Sequence, residues 1–373
     1  MTRRPTGRIA KRIEVQKMEP DEGALFLLHR AKILDVDTSI EAASRTEQDT
    51  AREIVQAMDG LPLALEQAGA YIEETECGLQ GYLRLYRAQG VKLLKELGEY
   101  IPDHPRPVAT TWSLSFENVE EANAASAELL RFCAFLAPDA IPEALFAESA
   151  VDLGPKLEPI ASDPSMLNTA MRELLKYSLV QRDPETQTLS IHRLVQEVLK
   201  DQMDEETQRT WAERTVRAMS RIFPDPEYAN RDVCRKYLLH AQVCTSLIVL
   251  WDMTFPEAIL LLNDVGNYLH QTIFQYKEAE TVFKHILSIR ERVLGSEHPD
   301  TASSLRRLGY LYRESGEYEL AEPLLQRALA ICEKVLGPDH HDTAGSLHQL
   351  AWLYTLQKKL RGGGASALKF PGY

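Results

Sequence analysis

Few of the 373 residues combine type and spacing in a way that suggests chemistry, and the first is a histidine. His192 follows Thr188-Leu189-Ser190-Ile191 and precedes Arg193-Leu194-Val195-Gln196. Leu179-Val180 and Leu189-x-Ile191 flank the polar turn Asp183-Pro184-Glu185-Thr186-Gln187, which predicts a hairpin. Leu194, Val195, Val198 and Leu199 then have helical spacing, so His192 stands where a strand runs into a helix. An imidazole N–H there can donate to an anion, and its charge changes near neutral pH. The alternative is a structural hydrogen bond satisfied within the fold.

The second group is Asp59-Gly60-Leu61-Pro62-Leu63-Ala64-Leu65. Gly60 can end a helix carrying Ile54, Val55 and Met58, and Pro62 suits the first turn of the next, whose apolar face is Leu61, Leu65, Ala68 and Ile72. The third is an aromatic column at a fixed interval, Tyr268, Tyr310 and Trp352, with Arg306, Arg313 and His348 beside it. Aromatic and Arg side chains dominate interface hot spots, although such rings also pack between neighbouring helices.

No other catalytic set is present. The sequence has no Gly-x-x-x-x-Gly-Lys-Ser/Thr, no apolar strand ending in paired acids to hold magnesium, and no Ser or Cys on a nucleophile turn. Cys77, Cys133, Cys234, Cys244 and Cys332 are scattered and never spaced Cys-x-x-Cys, so neither a zinc site nor a disulfide framework is expected. The chain as given reads as a non-enzyme with no catalytic residue and no metal.

Lys+Arg 42 against Asp+Glu 55 leaves a net charge of −13, which disfavours nucleic acid as a partner. Apolar content of 44% with 26% charged residues is that of a globular protein, and no stretch approaches the roughly 20 apolar residues a membrane span needs. Residues 1–13 are basic, with Arg3, Arg4, Arg8, Lys11 and Arg12, but no apolar core of a secretory signal follows. Reduced thiols and the absence of a span point to the cytoplasm.

The elements that position these residues are mostly helices. Leu294-Gly295 returns as Leu336-Gly337, His298 as His340, Asp300-Thr301-Ala302 as Asp342-Thr343-Ala344, and Leu305, Leu308, Leu311, Tyr312 as Leu347, Leu350, Leu353, Tyr354, a period of 42 residues. Each unit predicts two helices, here residues 301–314 and 318–335, broken at Gly316 and ended by Gly337-Pro338. Gly309, Ala321 and Ala328 are small where paired helices approach closely, while Leu305, Leu308, Tyr312, Leu325 and Leu329 fill the gaps. These positions resemble the tetratricopeptide consensus, and the period with its Gly-x-x-His-Pro-Asp-Thr linker is similar to the kinesin light chain variety. The resemblance covers about two and a half units over residues 257–360. It implies a concave face binding a protein or peptide, on which Tyr268, Arg306, Tyr310, Arg313, His348 and Trp352 would lie. The family's peptide-holding Asn is replaced by Val265, Arg307 and Gln349.

Further upstream, Thr110-Thr111-Trp112-Ser113-Leu114-Ser115-Phe116, Leu136-Ala137-Pro138-x-x-Ile141-Pro142, Ile191-His192-Arg193 and Gly60-Leu61-Pro62-Leu63-Ala64 resemble nucleotide-switch proteins of the NB-ARC type, a branch of the STAND NTPases. The resemblance implies that His192 would reach the β-phosphate of ADP, Pro62 would pack near the adenine, and Arg3 would sense the γ-phosphate. Ile-His-Arg stands where the family has Met-His-Asp. The expected fold is mainly α: an NB-ARC remnant with its helical ARC subdomain over 1–104, a winged-helix domain over 105–205, a helical connector over 206–256, the α-solenoid over 257–360 and a flexible tail over 361–373. The expected function is the regulatory and sensor half of a STAND switch that binds a protein partner. It would be the C-terminal portion of a longer protein, with ADP or ATP and magnesium held, and self-assembly driven, by the missing part. The alternatives are an ADP-binding STAND ATPase whose P-loop lies outside the sequence and a kinesin-light-chain-like scaffold adaptor.

Overall fold

The computed structural model describes residues 17–89, 116–177 and 179–362. Helix α1 (Pro20–Arg30) starts with Pro20 in its first turn, carries Asp21 and Glu22 there and ends in His29 and Arg30, so its charges oppose both ends of the helix dipole. Helix α2 (Arg45–Ala57) opens with a capping box, in which Ser44 Oγ accepts from the Glu47 amide and Glu47 Oε2 from the Ser44 amide. It stops because Asp59 and Gly60 both have left-handed backbones, at φ 56° and 64°. A Cβ on Gly60 would lie 2.6 Å from the Met18 carbonyl oxygen, so the turn requires glycine. Pro62 then starts α3 (Pro62–Thr75), followed by α4 (Gly78–Gln89). Ala24, Leu27, Leu28, Ile54, Leu65 and Tyr82 form the core of this block.

Asn123 caps α5 (Ala124–Ala134) by accepting from the Ala125 and Ser126 amides. Strand β1 (Ile141–Pro142) and the short helices α6 (Ala144–Glu148) and α7 (Glu158–Ala161) lead to α8 (Pro164–Lys176), which Asp163 caps. Strands β2 (Val180–Asp183) and β3 (Thr188–Ile191) make the expected hairpin, its turn held by Asp183 Oδ1 accepting from the Glu185 amide at 2.9 Å. The sheet is antiparallel in the order β1-β3-β2, with Ile141 opposite Leu189 and Val180 opposite Ile191. Helix α9 (Arg193–Asp201) begins immediately after His192 and inserts Leu194 and Val198 into the core of α1 to α4. That insertion ties the hairpin to the N-terminal block.

The chain divides into two units, Met1–Ala218 and Met219–Tyr373, and the division falls within α10 (Glu205–Ile222). The second unit holds α11 (Arg231–Leu250), α12 (Pro256–Asn267), a π-helical turn (Tyr268–Thr272), α13 (Tyr276–Val293), α14 (Pro299–Glu314), α15 (Tyr318–Val335) and α16 (His341–Gly362). The recurring linker has a local cause. His298 Nδ1 accepts from the Asp300 amide and Thr301 Oγ1 donates to the Gly295 carbonyl, and His340, Asp342, Thr343 and Gly337 repeat both bonds. Gly309 meets α15 so closely that a Cβ would lie 2.7 Å from Leu325 Cγ, which is a packing role. The tail expected over 361–373 lies outside the described residues apart from the end of α16.

No helix among the described residues is long and apolar enough to cross a membrane.

Candidate functional site

In the first unit the joint between α2 and α3 meets the start of α9 through one carboxylate. Asp59 Oδ2 accepts from His192 Nδ1 at 3.2 Å and from the Arg193 amide at 3.3 Å, and Asp59 Oδ1 accepts from Lys17 Nζ at 2.8 Å. His192 is the N-cap residue of α9 but makes no side-chain cap of its own. Asp59 supplies the cap, accepting from the Arg193 amide 134 residues away. The side chains of His192 and Asp59 are 15% and 21% exposed. Burial pushes the Asp59 carboxyl up, but the hydrogen bonds and charges of His192 and Lys17 more than offset this and hold it below its ordinary value. One turn further along α9, Glu197 Oε2 accepts from the Tyr86 hydroxyl at 3.0 Å.

The structure thus brings His192 to Asp59, three residues before Pro62. Arg3 lies outside the described residues. His192 Nδ1 is committed to Asp59, while Nε2 bonds no described residue, so an anion at Nε2 would need the imidazolium form. By residue pattern alone Asp59 is only part of a helix joint. The Asp59-Gly60 pair, two residue types that tolerate the left-handed backbone found there, is the signal the sequence carries.

In the second unit the expected column is only partly assembled. The Arg313 guanidinium lies over the Tyr310 ring at 4.6 Å and the Trp352 ring at 5.9 Å, and His348 stands 6.4 Å from Trp352. Arg313 Nη1 donates to Gln349 Oε1 at 2.5 Å and Nη2 to Glu314 Oε1 at 2.8 Å. Arg313 is 8% exposed and its Nε has no partner, whereas Trp352 is 50% exposed. Arg306 is drawn away, with Nη2 donating to Asp342 Oδ1 at 3.0 Å and so binding α14 to the first turn of α16.

Tyr268 is corrected. It is 1% exposed, its ring is edge-on to Phe223 at 6.2 Å, and its hydroxyl donates to the Arg231 carbonyl, so it offers no surface to a ligand. The cause is a one-residue shift in register. Pro256 and Gly266 in α12 correspond to Pro299 and Gly309 in α14 at a spacing of 43, not 42, and a Cβ on Gly266 would meet Phe283 as one on Gly309 meets Leu325. The 42-residue spacing resumes at Tyr276 and Tyr318. The π-helical turn between them absorbs the extra residue. Tyr268 therefore corresponds to buried Leu311, and His270 takes the place of Arg313, with its ring 5.1 Å from Tyr310. Burial, helped by Arg313 and opposed by Glu314, holds the His270 imidazole below its ordinary pKa.

The same shift puts Asp264, not Val265, in line with Arg307 and Gln349. Val265 is buried like Leu308. Burial, then Asp225, push the Asp264 carboxyl up to about 6 against the pull of Arg307. Arg307 Nη1 donates to Asn267 Oδ1 at 2.9 Å.

Comparison with known proteins bears on each unit. Residues 257–334 and 305–361 match the tetratricopeptide repeat family, so the helices from α12 to α16 are tetratricopeptide repeats. Residues 117–208, from just before α5 into α10, match a domain of unknown function (DUF7779). The chain is 30% identical over 284 residues to a protein of Hyaloscypha variabilis (strain UAMH 11265 / GT02V1 / F) named "Nucleotide-binding leucine-rich repeat (NLR)-like protein". The similarity takes in 71% of this chain and 26% of that protein, so the chain spans about a quarter of its relative's length.

Proposed function

We propose that the chain is the regulatory and sensor part of a STAND-type nucleotide switch, itself non-catalytic and cytoplasmic, which binds a protein or peptide through its tetratricopeptide repeats. The observation that carries this reading is the half-exposed Trp352 ring beside the buried Arg313 guanidinium on the first helices of successive repeats. Rigid aromatic and Arg groups held by neighbours lose little freedom when a ligand arrives, which favours binding. The similarity to a protein named as nucleotide-binding supports the switch. So does the order helix, strand, helices, hairpin with strands β1-β3-β2, which suits a winged helix.

In this reading Pro62 and His192 lie at the edge of an ADP site. Asp59 accepts the hydrogen bond from His192 Nδ1 and leaves Nε2 facing away from that bond, toward where a phosphate oxygen would lie. Arg3 is assigned there by resemblance alone. The phosphate-cradling loop and magnesium would belong to the longer protein, and self-assembly to a region outside this chain. A bound nucleotide would supply negative charge at the start of α9; the residues here hold and orient it.

Selection of peptides from a displayed random library against the full chain tests the partner role. Peptides that bind wild type and lose at least tenfold in affinity to both Trp352→Ala and Arg313→Ala, with unchanged circular dichroism, are the expected result. Selected peptides that bind both variants as well as wild type would overturn it.

A further inference from the structure

A cavity of about 500 Å3 opens in the first unit between α5, the loop ahead of α7 and the first turns of α10. It belongs neither to the His192 joint nor to the repeats. At its wall sits Glu128, 8% exposed, whose Oε1 accepts from Arg131 Nη1 at 3.0 Å. Arg131 is satisfied on its other side by Glu120 at 2.7 Å. Lys156 Nζ and Arg214 Nη1 also face this carboxylate, but at 3.9 Å each, within Coulomb range and beyond hydrogen-bond range.

Arg214 is held by two flat surfaces. Its guanidinium stacks on the Trp211 ring at 4.7 Å and lies on the backbone of Gly154, where a Cβ would come within 2.6 Å of Cζ. Gly154 has φ 90°, a conformation that suits glycine. The Arg214 N–H groups nevertheless donate to no described residue. A planar donor fork fixed by stacking, with no hydrogen bond spent, and a second cation facing the other oxygen of the same Glu128 carboxylate suit an oxyanion.

The rest of the lining limits what that oxyanion can be. Asp204 is occupied as the cap of the Thr207 amide at 2.7 Å, yet it and Glu206 keep negative charge on the α10 side. Polyphosphates are therefore disfavoured, and the volume falls in the range of small-molecule sites. We propose that this cavity binds a small organic anion with a single carboxylate or phosphate head, bridged by Arg214 and Lys156.

Intrinsic tryptophan fluorescence tests this, since Trp211 underlies Arg214. The full chain is titrated with sodium acetate and, separately, with sodium phosphate, at ionic strength held constant with sodium chloride. A saturable change with either anion is expected, phosphate marking a phosphate head and acetate a carboxylate. The apparent affinity should fall at least tenfold in Arg214→Gln and in Lys156→Gln. The Lys156 side chain is 70% exposed, so Lys156→Gln will fold as wild type and serves as the deciding variant. No saturable change with either anion, or an unchanged affinity in Lys156→Gln, would overturn the proposal.

Discussion

Replacing Asp59 should loosen the first unit in a manner specific to its charge. Asp59 Oδ2 caps α9 through the Arg193 amide and receives His192 Nδ1, while Oδ1 pairs with Lys17. Loss of the cap costs about 1 kcal/mol, and a hydrogen bond to a charged group contributes about 1.5–3 kcal/mol. The Lys17 pair adds little because Lys17 is 37% exposed. Asp59→Asn keeps an acceptor and tolerates the left-handed backbone, so a loss of about 1–2 kcal/mol is expected. Asp59→Ala removes every acceptor and strains the backbone, for about 3 kcal/mol.

The pH dependence has a definite sign. The Asp59 carboxyl is held below its ordinary value, so its stabilisation is complete above the ordinary carboxylate range and is lost as pH falls through the folded value. Urea unfolding of the full chain followed by circular dichroism should show wild type more stable than Asp59→Asn at pH 7, by a gap that narrows toward pH 3. Exchange of the Arg193 amide should quicken in the variant at pH 7. Equal stability at pH 7, or a gap of the same size at both pH values, would refute the reasoning.

Two further outcomes follow from the repeats. Tyr268→Ala should cost about 3–5 kcal/mol by opening a cavity against Phe223, and Tyr268→Phe under about 1 kcal/mol, because the hydroxyl bond is long at 3.4 Å; both are read by thermal unfolding. Asp264→Asn should stabilise the fold by about 1 kcal/mol at pH 7, after allowance for its partial exposure. The native carboxyl titrates at about 6, so the fold regains stability as pH falls through that value and the variant's advantage should vanish by pH 4. Urea midpoints at the two pH values check this, and a destabilised variant at pH 7 would contradict it.

Much of the local architecture was legible from residue types alone. The hairpin over Val180–Ile191, the stop at Gly60, the start at Pro62 and the helix pairs with their Gly-x-x-His-Pro-Asp-Thr caps all rest on interactions within a few residues. The displacement of Tyr268 was also encoded, because Pro256 and Gly266 match Pro299 and Gly309 at 43 residues. A reading at one fixed period passed over the extra residue that the π-helical turn absorbs. The capping of His192 by Asp59 was not legible, nor was the convergence of Lys156 and Arg214 on Glu128. Each joins side chains from segments distant in the chain, and each exists only because α9 lays Leu194 and Val198 into the core of α1 to α4, or because Trp211 and Gly154 trap one arginine between them. Periodicity, caps and turns are short-range properties that a sequence carries in itself, whereas the meeting of distant charges depends on how whole helices pack, which only the tertiary structure decides.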